Sequence, residues 1–392
     1  MFNLCWITLK KPKSCLNGKS CLLWLFQAHN LSATRYRYLE QLNAYTLSRQ
    51  PCALGPTSLR PTFRSSTKSI VWLCCMIVLF SGCSSPHTQK TSGLSTTPKL
   101  HESSFSADDG YILPLKRYWP ESVPNAIVIA LHGFNDYSNA FKGMCEYLVI
   151  QNIACLAYDQ RGFGGTEERG IWPEKGRLQA DFAAVVLAVN KRYEQMPIYV
   201  VGESMGGAVI LTALAEGDAR LASMIEGSVL LAPAVWARDT QPWYQRWLLW
   251  MAVHTLPAWS PTGEGLGVQA SDNIAALRAM GRDELVIKET RIDAVYGLTN
   301  LMDQALESTT EVTIPTLVLY GERDEVIPKL PSCTMLNRME QSQAPVDFRL
   351  YKNGYHMLTR DLQAELVFED LVSWIRGERF VLKESGYYPF CF

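Results

Sequence analysis

A serine between glycines is the group in this sequence best suited to do chemistry. Ser204 lies in Gly202-Glu203-Ser204-Met205-Gly206-Gly207, after the apolar run Ile198–Val201 and before the apolar run Ala208–Leu211. Glycines two residues before and after the serine permit a sharp turn from strand to helix, which lifts the serine oxygen to the edge of a sheet. The alternative is a structural turn with a bystander serine. Because strand, turn and helix follow one another here, we predict that Ser204 is a nucleophile that attacks an ester carbonyl.

A serine hydroxyl is a weak nucleophile, so it needs a general base, normally a histidine oriented by a carboxylate. His356 lies between the last predicted strand, Phe348–Tyr351, and the last predicted helix, Leu362–Ile375. A loop in this position, downstream of the nucleophile, is where such a chain places its base. His132 is the alternative base, and we predict that it shapes a loop instead.

The acid is expected between the serine and the histidine in chain order. The predicted strand Thr316–Tyr320 is followed by Gly321-Glu322-Arg323-Asp324-Glu325, which contains three carboxylates. Each of them could also be a solvated loop charge. Position in the chain alone therefore leaves Glu322, Asp324 and Glu325 open.

Backbone N–H groups should stabilise the oxyanion of a tetrahedral intermediate. One candidate is the amide of Met205, which follows the nucleophile. The second should come from the loop after the apolar run Ile127–Leu131, where His132-Gly133-Phe134 stands. We predict that the amide of Phe134 is this donor, with His132 and Gly133 shaping the loop.

The elements around these residues alternate between strand and helix. Short apolar runs typical of buried parallel strands recur at Ile127–Leu131, Ile153–Tyr158, Ile198–Val201, Val229–Leu231 and Thr316–Tyr320. Amphipathic stretches separate them at Leu178–Tyr193, Gly206–Ala215 and Leu362–Ile375. Asp108-Asp109-Gly110, between Phe105 and Tyr111, predicts a hairpin turn. The sequence thus predicts an α/β fold with a mostly parallel sheet and helices on both faces.

These residues together resemble the α/β-hydrolase family, and more narrowly its monoacylglycerol lipase and lysophospholipase branch. The matching segments are His132-Gly133-Phe134, Asp159-Gln160-Arg161-Gly162-Phe163-Gly164, Gly202–Gly207, Gly321-Glu322-Arg323-Asp324 and His356. They span roughly Phe105 to Ile375. The resemblance implies the α/β-hydrolase fold, and it selects Asp324 as the acid because Gly-x-x-Asp after this strand is the family's acid position. These segments are not specific for a substrate, and no metal or organic cofactor is implied.

Members of this family carry a helical cap between two strands, and residues 234–312 give this chain room for one. The segment is rich in tryptophan and contains a predicted helix, Trp243–Leu256. Its tryptophans are Trp236, Trp243, Trp247, Trp250 and Trp259. They could pack the cap on the core, or an exposed share could form an apolar entrance or a surface that contacts lipid.

The front of the chain has the pattern of a secretory signal. The apolar run Ile70–Phe80 follows Arg60, Arg64 and Lys68 and is too short to span a membrane comfortably. Leu79-Phe80-Ser81-Gly82-Cys83 resembles a bacterial lipobox, although Phe80 stands where leucine is usual. We predict that Cys83 is lipidated and anchors the protein in the bacterial cell envelope. Ser84 and Ser85 in place of aspartate favour the outer membrane. A plain transmembrane anchor or a buried apolar segment is the alternative.

These patterns divide the chain into five segments. Residues 1–60 precede the signal, and we expect that the true start lies downstream of Met1. The signal peptide covers 61–83, a flexible tether rich in Ser, Thr, Pro and Lys covers 84–104, the hydrolase domain covers 105–380, and a tail covers 381–392. Of the 11 cysteines, only Cys145, Cys155, Cys333 and Cys391 lie after the signal. They could form disulfides in an oxidising compartment, but the sequence does not indicate which pair.

Composition and charge narrow the function further. A net charge of −1, with 19% charged residues, argues against a nucleic-acid partner. The leading hypothesis is a serine hydrolase that cleaves lipid-like carboxylic esters through an acyl-enzyme. An acyltransferase would use the same residues, and a non-catalytic envelope lipoprotein could keep the same fold. The oligomeric state is left open.

Overall fold

A nine-stranded sheet forms the centre of the part of the chain that the computed structural model describes, residues 84–216, 219–263, 265, 267–342, 344–378 and 391. All of these except Ser84 belong to one unit, Ser85–Phe392. The strands run β1-β2-β3-β5-β4-β6-β7-β8-β9 across the sheet. Their bounds are β1 Lys99–Leu100, β2 Ser104–Ser106, β3 Ile112–Tyr118, β4 Ile127–Leu131, β5 Ala154–Tyr158, β6 Ile198–Glu203, β7 Gly227–Leu231, β8 Thr316–Gly321 and β9 Val346–Tyr351.

The six strands from β5 to β9 across the sheet are parallel, and β1 to β3 add an antiparallel edge. Every residue of β4, β5, β7 and β8 is buried, as expected when helices cover both faces of a parallel sheet. The structure thus confirms the predicted fold class. It also confirms the hairpin at Asp108-Asp109-Gly110, because β2 and β3 pair antiparallel on either side of it.

Helices pack on both faces of the sheet. Along β4, Ile127, Ile129 and Leu131 point to one hydrophobic cluster, while Val128 and Ala130 point to the other. The first face carries α2 (Arg177–Arg192), α3 (Met205–Glu216) and α8 (Lys329–Met339), and the second carries α1 (Lys142–Ile150) and α9 (Ala364–Ile375). A single short turn, α4 (Ala219–Ala222), follows α3.

The predicted cap lies between β7 and β8, and its described residues include the α-helices α5 (Trp243–Thr255), α6 (Ile274–Arg282) and α7 (Ile292–Glu307). The helix predicted over Trp243–Leu256 is confirmed as α5. Helix α7 is more than a cap element, since Leu301, Ala305 and Leu306 are buried in the main core. A Cβ added to Gly297 of α7 would lie 2.4 Å from the ring of Trp172, so glycine permits this close approach.

The segment predicted as a flexible tether, residues 84–104, is held against the domain over much of its length. Gln89 is 3% exposed, and its backbone N–H donates to the carbonyl of Trp172 over 2.9 Å. Its side-chain Nε2 donates to the carbonyls of Glu167 and Glu168 at 3.3 and 3.0 Å. The tether prediction is therefore wrong at Gln89. A polar composition predicts exposure, but it does not reveal a single side chain that reaches backbone carbonyls on another loop.

Cysteines pair as Cys145–Cys155 and Cys333–Cys391. The second pair joins α8 to the C-terminal tail, of which the structure describes only Cys391. The predicted signal and Cys83 lie outside the described residues. In the described ranges no helix has the length and apolarity needed to cross a bilayer.

Candidate active site

Ser204 occupies the turn between β6 and α3. Its φ angle is +51°, in the left-handed region that a non-glycine residue seldom adopts. Two main-chain bonds fix this conformation, from the Ser204 N–H to the carbonyl of Leu231 and from the Ala234 N–H to the carbonyl of Ser204, both 2.9 Å. A Cβ at Gly206 would lie 2.0 Å from the carbonyl oxygen of Leu131, so only glycine fits there. The structure has the sharp strand-to-helix turn that the motif predicts.

His356 and Asp324 are hydrogen-bonded to each other. The Nδ1 of His356 lies 2.8 Å from Oδ2 of Asp324, and the two side chains are 8% and 0% exposed. The other carboxylate oxygen, Oδ1, accepts from the N–H groups of Val326 and Ile327 at 2.8 and 2.9 Å. Because a carboxylate oxygen accepts the hydrogen bond, Nδ1 of His356 carries the proton, and in the neutral ring Nε2 has the lone pair that a base needs.

Asp324 lies in the loop after β8, which we call the acid loop, and His356 lies in the loop after β9, which we call the base loop. The two loops are in close contact. A Cβ at Gly321 would lie 2.4 Å from the carbonyl oxygens of both Gly354 and Tyr355. Arg323 donates its N–H to the carbonyl of Gly354 over 2.9 Å. The glycine at the end of β8 thus allows the acid loop and the base loop to touch.

Burial disfavours the charged form of His356, but the carboxylates of Asp324 and Glu203 outweigh it and raise the pKa of His356 above its usual range. The Asp324 carboxylate contributes both through its charge and through the hydrogen bond. Arg360, which lies close by, lowers the same pKa by a smaller amount. An imidazolium formed at this position is therefore stabilised by the site.

His132 does not compete for the role of base. Its Nδ1 donates to the carbonyl of Gly133 over 2.8 Å, and its Nε2 accepts from the N–H of Gln160 over 2.9 Å. Complete burial lowers the pKa of His132, which keeps the ring neutral. The histidine therefore joins the loop after β4 to the loop after β5, which is the shaping role the sequence indicates.

The two residues predicted to supply oxyanion donors lie on separate elements, Met205 at the start of α3 and Phe134 in the loop after β4. A Cβ at Gly133 would be 3.4 Å from Cβ of Ser204. The loop after β4, which we call the oxyanion loop after its predicted role, therefore runs beside the turn that carries Ser204, the nucleophile turn. Across the described residues, neither amide donates to a backbone carbonyl or to a side chain in the structure. Phe134 itself packs against Phe163 and Trp172, with ring centroids 5.6 and 6.1 Å away. The loop that carries Phe134 thus passes beside the nucleophile turn, and the two amides remain predicted donors to an oxyanion.

Four polar residues of the site escaped the sequence interpretation. Arg360 donates from Nη1 to Asp136 and from Nη2 to Glu203, and Thr359 donates to the other oxygen of Glu203 over 3.0 Å. The available signal was a charged residue, Glu203, directly before the nucleophile in an otherwise apolar motif. A buried carboxylate needs a partner, but the motif does not indicate where in the sequence that partner lies.

One segment of the cap, residues 269–290, contacts several of the catalytic loops. Ser271 donates to Asp361 over 2.6 Å, and the N–H of Met357 donates to the carbonyl of Ala270 over 2.9 Å. Glu325, one of the carboxylates left open by the sequence, accepts from the N–H of Gln269 at 2.8 Å. Glu325 therefore binds the cap, while Asp324 faces His356. In the described part of the chain, no cluster of three or more His, Cys, Asp or Glu side chains is arranged to hold a metal ion.

Comparison with known proteins agrees with this geometry. A family model described as serine aminopeptidase, S33 (Hydrolase_4) matches residues 122–363. Human monoglyceride lipase is 24% identical over 276 residues, covering 69% of this chain and 88% of the human protein. The monoacylglycerol lipase of Mycolicibacterium smegmatis is 24% identical over 290 residues, covering 70% and 96%.

A solved structure of a soluble variant of monoglyceride lipase from Saccharomyces cerevisiae superposes with a TM-score of 0.59 at 17% identity, covering 76% of this chain and all of the yeast chain. This likeness establishes the α/β-hydrolase fold. Since the family model covers more than half of the sequence, the chain belongs to the Hydrolase_4 family of α/β-hydrolases.

Proposed function

We propose that this protein hydrolyses lipid-like carboxylic esters of the monoacylglycerol or lysophospholipid type, with Ser204 as nucleophile, His356 as base and Asp324 as the orienting acid. The chain is a carboxylic-ester hydrolase, as are its monoglyceride lipase relatives. The observation that carries the proposed mechanism is the buried 2.8 Å hydrogen bond between His356 and Asp324. The loop of His356 also contains Thr359 and Arg360, which donate to Glu203, the residue before Ser204.

In the proposed reaction, Nε2 of His356 takes the proton of the Ser204 hydroxyl as its oxygen attacks the ester carbonyl carbon. The amides of Met205 and Phe134 donate to the oxyanion, and the imidazolium then protonates the leaving alcohol. The product of this half-reaction is an acyl ester on Ser204. A water molecule, deprotonated by His356, attacks that ester and releases the carboxylic acid.

The surface of helix α5 supports a lipid-like substrate. Trp243, Trp247 and Trp250 are 76%, 53% and 55% exposed, and their spacing places them along one side of the helix. Trp236, by contrast, is partly buried against the core. The cap tryptophans thus divide between packing and exposure. Exposed tryptophans suit the boundary between water and a lipid surface, because the ring is apolar and its N–H is polar.

A location in the cell envelope is part of the proposal. A lipid attached to Cys83, at the end of the lipobox-like sequence, would anchor the protein to the surface of a membrane. The two disulfides are consistent with an oxidising compartment outside the cytoplasm. Mass spectrometry of the membrane fraction tests both points, since the expected N-terminal peptide begins at a lipid-modified Cys83. An unmodified peptide that extends across Cys83 contradicts the anchor.

A fluorophosphonate probe tests the catalytic assignment. Labelling of the wild type at Ser204 is expected, and Ser204→Ala should abolish it and lower kcat by on the order of 10⁴- to 10⁶-fold. Equal labelling of both proteins, or none of the wild type, contradicts a catalytic Ser204 and favours the non-catalytic lipoprotein.

A panel of esters with increasing acyl length, together with monoacylglycerol and lysophospholipid, then tests the substrate class. Faster turnover of the long-chain lipids supports the proposal, whereas a preference for short soluble esters contradicts it. Adding glycerol as a competing acceptor separates the acyltransferase, because transfer yields a new ester where hydrolysis yields a free acid.

A further inference from the structure

A buried guanidinium joins three loops of the candidate site. Arg360 lies between β9 and α9, and its side chain is 14% exposed. Its Nη1 donates to Asp136, whose side chain is 7% exposed, and its Nη2 donates to Glu203, whose side chain is 3% exposed. The two terminal nitrogens of one side chain therefore serve two different carboxylates.

Each partner of Arg360 is close in sequence to a group of the proposed mechanism. Glu203 immediately precedes Ser204, Asp136 is two residues after Phe134, and Arg360 itself is four residues after His356. Glu203 is held from a second side by Thr359 over 3.0 Å, and Asp136 accepts from the N–H of Tyr137 over 2.8 Å. Each carboxylate thus has a second hydrogen bond besides the one that Arg360 donates.

We propose that Arg360 is a positioning residue for the hydrolytic reaction: by binding Glu203 and Asp136 together, it sets the base loop of His356 against the nucleophile turn and the oxyanion loop. The inference rests on the proposed function, because it needs His356 to act on Ser204. It adds a role for three residues that lie outside the Ser204, Asp324 and His356 set. A lysine could not replace Arg360, since a single ammonium lacks the fork that reaches two carboxylates at once.

The same cluster sets the charge around His356. The ionised groups that act on the ring are Asp324 on the acid loop, Glu203 at the end of β6 and Arg360 on its own loop, with Asp136 reached through Arg360. Glu203 raises the pKa of His356 and Arg360 lowers it. Removing the charge of Glu203 should therefore lower the pKa of His356, and removing the charge of Arg360 should raise it. A loss of packing alone does not produce opposite shifts.

Glu203→Gln and Arg360→Gln, made in the full chain, test the inference. We expect Glu203→Gln to shift the acid limb of kcat/KM to lower pH and Arg360→Gln to shift it to higher pH. Arg360→Gln should also lower kcat by about 10- to 100-fold with little change in KM, because misplaced groups weaken the transition state more than substrate binding. Arg360→Lys should recover little of the loss.

Arg238→Gln is the matched control, because Arg238 also binds two side chains, Asp303 and Asn300, but both lie on α7 and not on a loop that carries Ser204, Asp324 or His356. Arg238→Gln should leave both kcat and the acid limb of the pH profile of kcat/KM unchanged. If Arg360→Gln does not fold, Glu203→Gln carries the test alone, since it keeps the size of the side chain and leaves Arg360 paired with Asp136.

The inference is overturned if the acid limbs of the two variants stay in place or move in the same direction. It is also overturned if kcat of Arg360→Gln stays within about threefold of the wild type. Fluorophosphonate labelling of the wild type separates this failure from that of the proposed function. A wild type that labels at Ser204 keeps the mechanism while the role of Arg360 falls, and a wild type that does not label removes both.

Discussion

At the scale of single residues, the site depends on main-chain geometry before it depends on side chains. Ser204 holds a φ of +51°, a conformation that costs on the order of 1–3 kcal/mol in a non-glycine residue. Bonds to Leu231 and Ala234 hold it there, and Gly206 leaves room for the turn. The nucleophile is thus pre-oriented by the fold, and only the base and the acid need to be supplied by other loops.

Asp324→Asn should nearly abolish activity while leaving the fold intact. The amides of Val326 and Ile327 can still donate to the asparagine oxygen that replaces Oδ1. The amide nitrogen then faces Nδ1 of His356 and favours the wrong tautomer, so we expect kcat to fall by about 10⁴-fold. Steady-state kinetics measure the loss. Glu325→Gln is the control, because Glu325 binds Gln269 of the cap. If the two variants lose activity equally, the assignment of the acid is wrong.

The raised pKa of His356 predicts where activity is lost in acid. A base must be neutral to accept the serine proton, so kcat/KM should fall as the pH drops through the pKa of His356 in the free enzyme. Since Asp324 and Glu203 raise that pKa, the midpoint should lie above 6.5, the ordinary value for histidine. A pH profile with a soluble ester measures it. A midpoint below 6.5 would show that burial outweighs the two carboxylates.

At the scale of elements, much of the site follows from the order of strands and loops. Apolar runs mark the parallel strands, and the loops after β6, β8 and β9 carry Ser204, Asp324 and His356 in the predicted order. What joins those loops could not be predicted. Arg360 binds Glu203 and Asp136 across 157 and 224 residues of sequence, and nothing in the local pattern of any of them specifies the pairing.

The docked segment before β1 is a second element that composition concealed. Its main anchor, Gln89, donates two side-chain hydrogen bonds to the turn at Glu167 and Glu168 and one backbone bond to Trp172. Trp172 in turn packs against Phe134 and against Gly297 of α7. The residues that follow the predicted anchor therefore contribute to the layer beneath the oxyanion loop.

Gln89→Ala should destabilise the domain measurably. The substitution removes two hydrogen bonds and leaves a gap at a buried position, which is worth about 1–2 kcal/mol in the free energy of unfolding. Urea denaturation followed by tryptophan fluorescence measures it, with an unchanged m value expected. Lys90→Ala, at the exposed neighbouring position, is the control and should change stability by less than about 0.5 kcal/mol. Equal stability of both variants means that the segment does not contribute to the fold.

At the scale of the whole molecule, several features support the proposed action at a lipid surface. The predicted anchor at Cys83 would hold the chain at a membrane, and α5 presents three exposed tryptophans on the cap. The cap segment 269–290 contacts the acid loop at Glu325, the base loop at Asp361 and the oxyanion loop at Asn135. The element that would meet lipid is thus continuous in sequence with the segment that braces the catalytic loops.

Replacing Trp243, Trp247 and Trp250 together by alanine should therefore weaken action on lipid but not on soluble esters. By about 25 cal/mol for each Å² of apolar surface, inserting three indole rings into an interface contributes several kcal/mol, so we expect at least a tenfold loss on monoacylglycerol carried in phosphatidylcholine vesicles. Turnover of a short soluble ester should stay within about twofold, because the three side chains are exposed on the cap and are not part of the candidate triad. The control replaces Val123, Leu330 and Leu366, which are 79%, 63% and 51% exposed outside the cap, by alanine. If this control loses as much activity on vesicles as the tryptophan variant does, general surface hydrophobicity accounts for lipid binding and the α5 face has no special role.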